Sequence, residues 1–212
     1  MAVVTIRGQL GSGSPEIGRL VAKKLNADFV DRRIIAEVAA ILDKRKRDVK
    51  IKEMPPGSLL GRIAELLGRS NFIGFDLFSM FMPVSEIPLD DSRYLEGLRS
   101  VIGDLARSQP IVIYGRGSQF ILKDDPTAFH VLVVAPLELR MKRVMEDMNL
   151  DESAARKEID IYDSSRREFI KRYFHSKLED PVNYDLTINT NHLDFDAAAS
   201  IVAGAIPFKG KD

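Results

Sequence analysis

Residues 3–25, VVTIRGQLGSGSPEIGRLVAKKL, decide how this chain is read. Val3 to Ile6 form a short apolar run suited to a buried strand. Glycines follow at 8, 11 and 13, and PEIGRLVAKKL then carries a helical pattern. A strand, a glycine-rich turn and a helix bring consecutive backbone N–H groups to one concave point at the helix N-terminus, where the dipole favours an anion. In the G-x-x-x-x-G-K pattern of phosphate-holding loops, Gly8 and Gly13 are the bracketing glycines and Ser14 stands where the lysine belongs. Pro15 removes one amide donor while suiting the first helical turn, and Glu16 adds a negative charge. Losing one preorganised cationic donor costs on the order of 100- to 1000-fold in rate. Two readings stand at this point: a weakened phosphate cradle, or a glycine-rich turn with no ligand.

Composition narrows the partners. The chain has 212 residues, 45% of them hydrophobic, enough for one sizeable core and one domain. Lysine plus arginine equals aspartate plus glutamate at 31 each, so nothing global argues for a nucleic-acid or membrane partner. With no cysteine, disulfides, thiolate metal sites and cysteine nucleophiles are excluded, which suits a reducing compartment and a cytoplasmic location. The amino terminus reaches Arg7 without signal-peptide architecture, and no run approaches the roughly 18 apolar residues of a membrane span. A soluble protein is expected.

Further strands are read at PIVIY (Pro110 to Tyr114), FHVLVVA (Phe129 to Ala135) and YDLTINT (Tyr184 to Thr190), with ADFVD (Ala27 to Asp31) a weaker fifth. Helical patterns separate them: RRIIAEVAAIL, DDSRYLEGLRSVIGDLARS, PLELRMKRVMEDM and DFDAAASIVAGAI. Alternating strands and helices predict a three-layer α/β domain around a parallel sheet of about five strands. The domain spans 1–212, with its core in 1–49 and 110–212. Residues from about 50 to 109 contain no convincing strand and read as a helical insertion. Within it NFIGFDLFSMFMP (Asn71 to Pro83) is dense in phenylalanine and methionine and is expected to pack on the insertion's own helices or a subunit partner, which leaves room for a homo-oligomer.

The second half supplies cations. YGRGSQFIL puts Arg116 between glycines at the carboxyl end of a strand, the edge where open α/β sheets bind ligands, and an arginine there can grip phosphate bidentately. APLELRMKRVMED places Arg140 and Arg143 three apart on one helical face. KEIDIYDSSRREFIKRYF sets Asp160, Asp163, Arg166 and Arg167 on neighbouring turns. Any one of these arginines alone reads as a solvated or salt-bridged surface. The basic run Asp43 to Lys52 reads as a solvated helix end, and His130, inside an apolar strand, as a structural histidine. His130, His175 and His192 have no metal-ligand spacing.

Taken together, these motifs resemble the cytidylate kinase-like group of the P-loop nucleoside monophosphate kinases over nearly the whole chain outside the insertion. GSGSPEIG is similar to the group's GSGG-x-E-I-G loop, FVDRRII to its next segment, IVIYGRGSQFIL to its central strand and GRG turn, and LELRMKR to a family helix. DIYDSSR keeps the D-x-x-D-x-x-R spacing of the mobile lid, and NYDLTINT resembles the final strand. The resemblance implies phosphoryl transfer from ATP, with magnesium, to CMP or dCMP. It makes the insertion the monophosphate-binding part and residues from about 144 to 175 a helical lid. It also implies that the amides of Gly11, Ser12, Gly13 and Ser14 hold the donor phosphates and that Arg116 holds the acceptor. Arg140, Arg143 and Arg166 would approach the transferring group on lid closure, with Asp163 orienting an arginine or binding CMP.

The chain departs from that pattern at definite places. Ser14 and Glu16 replace the loop lysine and the magnesium-binding hydroxyl, Tyr114 and Gly117 replace aspartates flanking the central arginine, and Ile159 replaces the lid's leading arginine. The magnesium ligands are therefore unassigned. Two functional classes follow: a small-molecule kinase, or a catalytically degenerate nucleotide-binding sensor or partner protein.

Overall fold

The structure, a computed structural model, describes residues 2–31, 92–108 and 110–206. The sequence-predicted helix RRIIAEVAAIL, the basic run Asp43 to Lys52 and the segment Asn71 to Pro83 lie outside the described residues. The chain divides into two compact units, residues 1–29 with 110–212, and residues 30–109.

Five strands form one parallel sheet: β1 (Val3–Gly8), β2 (Asp28–Val30), β3 (Ile111–Tyr114), β4 (Ala128–Val134) and β5 (Leu186–Asn189). Their spatial order is β2-β3-β1-β4-β5, so β1 is central. Val4 pairs with Val112 on one side and with Phe129 on the other. All six β1 residues are buried, as expected of a parallel strand covered on both faces, and this is why these strands read as unbroken apolar runs. β1 runs two residues beyond the predicted Ile6, with Arg7 and Gly8 paired to Leu132 and Val133. An arginine is thereby drawn into the end of the central strand.

Helix α1 (Ser14–Lys24) follows the glycine loop, and α2 (Ser92–Ser108) lies in the second unit. On α2, Leu98, Val101, Ile102 and Leu105 are buried at the i, i+3, i+4, i+7 spacing of one helical face. The core's remaining helices are α3 (Ser118–Ile121), α4 (Leu137–Met148), α5 (Glu152–Phe174) and α6 (Phe195–Ala205). Ile17, Val21 and Ala22 of α1 share one core with Ala198, Ala199 and Val202 of α6 and with Val4, Ile6, Val131, Val133 and Ile188 of the sheet. A second cluster joins Val144 of α4 to Ala155 and Ile159 of α5. Asn149 ends α4 in the left-handed region at φ 52°, and Asp151 starts α5 by accepting from the Ala154 amide at 2.8 Å. No described helix is long and apolar enough to cross a membrane.

His130 lies inside β4 as the sequence suggests, its Nδ1 2.8 Å from the Thr5 hydroxyl. Burial lowers its pKa, with Asp185 opposing. The folded state therefore resists a proton that the unfolded chain accepts at about 6.5, so stability is full above that value and falls as pH drops below it, until the lowered folded pKa is reached. Urea midpoints measured across this range should fall with pH in the wild type, and His130→Gln should flatten the slope.

Candidate functional site

The loop between β1 and α1 curls because Gly11 and Gly13 adopt φ 76° and 83°. A side chain at Gly13 would also collide with the Phe195 ring. Ser12 and Ser14 are fully buried, and the Ser12 Oγ has no hydrogen-bond partner. The Ser12 amide donates to the Gln9 carbonyl at 3.1 Å, while the Gly11, Gly13 and Ser14 amides make no backbone hydrogen bond among the described residues.

Two arginines of α4 brace the loop from behind. Arg140 Nη1 donates to Asp163 Oδ2 at 2.7 Å and to the Leu10 carbonyl at 3.2 Å, while Asp163 Oδ1 accepts from the Leu10 amide at 3.2 Å. Both side chains of this ion pair are buried, and Arg140 Nε has no hydrogen-bond partner. Arg143 Nη1 donates to the Gly11 carbonyl at 3.1 Å and to Thr190 Oγ1 at 3.0 Å, while its guanidinium lies 5.0 Å from the Phe195 ring centre. Thr190 Oγ1 in turn donates to the Ser12 carbonyl at 2.9 Å. Burial is the main influence on Arg143, and it lowers the guanidinium's pKa against the pull of Asp147 and Glu16.

The structure thus brings Gly11, Ser12, Gly13, Arg140, Arg143 and Asp163 together around one loop. Helix α5 sorts its charged residues by face. Asp163 turns inward, whereas Asp160 pairs outward with Arg156 at 3.3 Å and Arg167 with Glu179 at 2.8 Å. Arg166 lies over the Tyr162 ring, 3.5 Å from its centre. Arg116 lies in the turn between β3 and α3, at φ 58° between Gly115 and Gly117 at 80° and 68°. A non-glycine residue held in the left-handed region is strained, and such residues concentrate at functional sites.

Three contributors escaped the sequence reading. Thr190, directly after β5, ties the last strand to the loop. Its place at the carboxyl end of a parallel strand was the available signal. Arg7 and Tyr162 meet across 155 residues, Arg7 Nη1 donating to the Tyr162 hydroxyl at 3.3 Å. Tyr162 and Tyr114 hydroxyls lie 3.2 Å apart, and Tyr114 reaches Ser14 Oγ at 3.3 Å. Burial would raise Tyr162, but Arg7 and Arg166 outweigh it and pull the phenol down to about 8. Tyr114 is pushed up, by burial first and by Tyr162 second. Among the described residues no three histidine, aspartate or glutamate side chains gather as a metal site.

The central-strand loop, the strand order and the left-handed glycines define an α/β protein of the P-loop type. Within that class, the chain belongs to the cytidylate kinase-like family, whose model matches residues 3–192. It is 25% identical over 209 residues to a cytidylate kinase of Methanocaldococcus jannaschii, covering 96% of this chain and 97% of the relative. A cytidylate kinase of Desulfurococcus amylolyticus is 31% identical over 165 residues, covering 72% and 89%. The fold is also that of a crystallised uncharacterized protein from Eubacterium ventriosum ATCC 27560, at TM-score 0.67 and 19% identity, with 97% of this chain and 98% of that one covered.

Proposed function

We propose that this chain is an ATP-dependent kinase that moves the γ-phosphoryl group of ATP to CMP, dCMP or a related small acceptor. The observation that carries this reading is the loop itself: a curl of left-handed glycines, braced through its carbonyls by Arg140 and Arg143, with the Gly11, Gly13 and Ser14 amides making no backbone bond among the described residues and the buried Ser12 hydroxyl unpartnered. Phosphoryl transfer asks the protein mainly for positioning and charge neutralisation, which such a cradle and nearby arginines supply.

On this reading the Gly11, Gly13 and Ser14 amides receive the donor phosphates beside Ser12, and Arg116 takes the acceptor's phosphate. Residues 50–109 serve as the monophosphate-binding insertion, and residues from about 144 to 175 act as a lid. Arg166 closes on the transferring group, while Arg140 and Arg143, held by Asp163 and Thr190, fix the loop toward it. Closure also keeps water from taking the phosphoryl group. Magnesium would come on the ATP phosphates, where this ion keeps much of its water and takes few protein ligands. A cysteine-free chain using ATP fits the cytoplasm.

Ser14 at the lysine position favours a second reading, a degenerate nucleotide-binding sensor or partner protein. ADP formation from magnesium-ATP, measured with CMP, dCMP, UMP and AMP in turn, separates the two. The kinase gives acceptor-dependent turnover that falls at least about 100-fold in Arg116→Ala. Binding of nucleotide without turnover for any acceptor identifies the sensor.

A further inference from the structure

A buried arginine and a half-buried one meet at one phenol. Arg7 is 6% exposed, and its guanidinium lies 5.4 Å from the Tyr162 ring centre, against 3.5 Å for Arg166. Arg166 Nη1 also reaches the Tyr162 carbonyl at 3.5 Å. Neither guanidinium has a carboxylate partner among the described residues, in contrast to Arg140 with Asp163. Burying a cation without a counter-charge is costly, and Arg7 with the half-buried Arg166 beside one neutral phenol concentrates positive charge that an anion would offset. From that phenol, hydroxyl contacts run through Tyr114 to Ser14, the residue in the lysine's place. The charge missing from the loop therefore reappears at the end of β1, joined to the loop by three hydroxyls.

We propose that Arg7, with Arg166 on the same tyrosine, is the cation that replaces the loop lysine, and that the two bind a phosphoryl group of a polyphosphate. The assignment of the anion to a nucleotide rests on the kinase reading above. Tyr162 is the neutral acceptor Arg7 uses until phosphate arrives, and a phosphoryl group offers the two guanidiniums the charged oxygens that the phenol does not.

The groups facing the Tyr162 hydroxyl are Arg7 from β1, Tyr114 from β3 and Arg166 from its own helix, with Ser14 beyond Tyr114. Tyr114 is pushed up chiefly by burial, and Tyr184, chiefly by burial as well, to about 12. Tyr162 moves the opposite way, pulled down to about 8 by Arg7 and Arg166 against its burial, so its transition is expected below theirs. Phenolate absorbance followed against pH, with and without sodium tripolyphosphate, reads the site directly. An anion that neutralises the arginine field should raise the Tyr162 titration, and Tyr162→Phe should remove the transition. Arg7→Met should lift the Tyr162 titration even without anion, while Arg7→Lys should keep part of the tripolyphosphate response. With magnesium-ATP and the preferred monophosphate, Arg7→Met should lose on the order of 100- to 1000-fold in kcat/KM, and Arg7→Lys should recover part of it.

A wild-type Tyr162 titration unmoved by tripolyphosphate overturns the anion site, and the wild-type experiment stands even if Arg7→Met does not fold. Equal kcat/KM in a folded Arg7→Met overturns it as well. Kinase turnover alongside an unmoved titration would keep the kinase reading while removing this site. A shifted titration without turnover would keep the site and remove the kinase reading.

Discussion

Replacing Asp163 with alanine is expected to destabilise the fold by about 3–5 kcal/mol, because it leaves the Arg140 guanidinium charged and buried without its partner. The carboxylate also accepts from the Leu10 amide at 3.2 Å, so one substitution frees both the arginine and the backbone at the start of the loop. Asp163→Asn should cost less, since its amide oxygen can still accept one of these bonds. A second substitution gives the sharper check. Removing both charges, as Asp163→Leu with Arg140→Met, should recover much of the loss, because an apolar pair of similar volume avoids the desolvation that the ion pair incurs. Urea unfolding at unchanged m-value measures each step. A loss below about 1 kcal/mol for Asp163→Ala would mean that water reaches Arg140 and that the pair behaves as an exposed one. In the stable double variant, ligand binding by the loop should remain weakened, which separates support of the loop from support of the fold.

The sheet was legible in the sequence because the physics that forms it is local and repetitive. Strands such as FHVLVVA and PIVIY are buried on both faces, so their composition alone marks them, whereas the three-residue edge strand within ADFVD, with Asp28 in it, gave a weaker signal. The loop was legible because glycine is the residue that reaches the left-handed region without strain. The D-x-x-D-x-x-R spacing was visible too, but spacing did not say which residue faces inward. Packing of Ala155 and Ile159 against α4 turns Asp163 toward the loop and leaves Asp160 at the surface. Arg7 was not legible in its present role. At the end of VVTI an arginine reads as the polar stop to a strand, and only the arrival of Tyr162 from a helix 155 residues later gives it a partner. Thr190 was not legible for a similar reason: a threonine closing a strand is ordinary, and only the fold brings Arg143 and the Ser12 carbonyl to its hydroxyl.

Gly13→Ala should impair the loop twice over, and the two contributions can be separated. At φ 83° a Cβ costs about 1–2 kcal/mol from backbone sterics. The same Cβ would overlap the Phe195 ring, and overpacking of this kind costs roughly 1–3 kcal/mol more. Gly13 is also the residue before α1, so relieving the strain by rotating its backbone would turn its amide out of the cradle. The expected result is a destabilised protein whose affinity for tripolyphosphate falls further than its stability loss explains. Phe195→Ala on its own should leave a cavity and lose the contact with the Arg143 guanidinium, 5.0 Å from the ring centre. Combined with Gly13→Ala, it should give a double variant more stable than the sum of the single losses predicts, because the methyl group then enters the space the ring vacated. The backbone contribution should persist in that double variant, and with it the loss of anion affinity. Full recovery of affinity would show that the ring alone dictates the glycine; strictly additive losses would show that the ring moves aside without cost and that the left-handed backbone alone does.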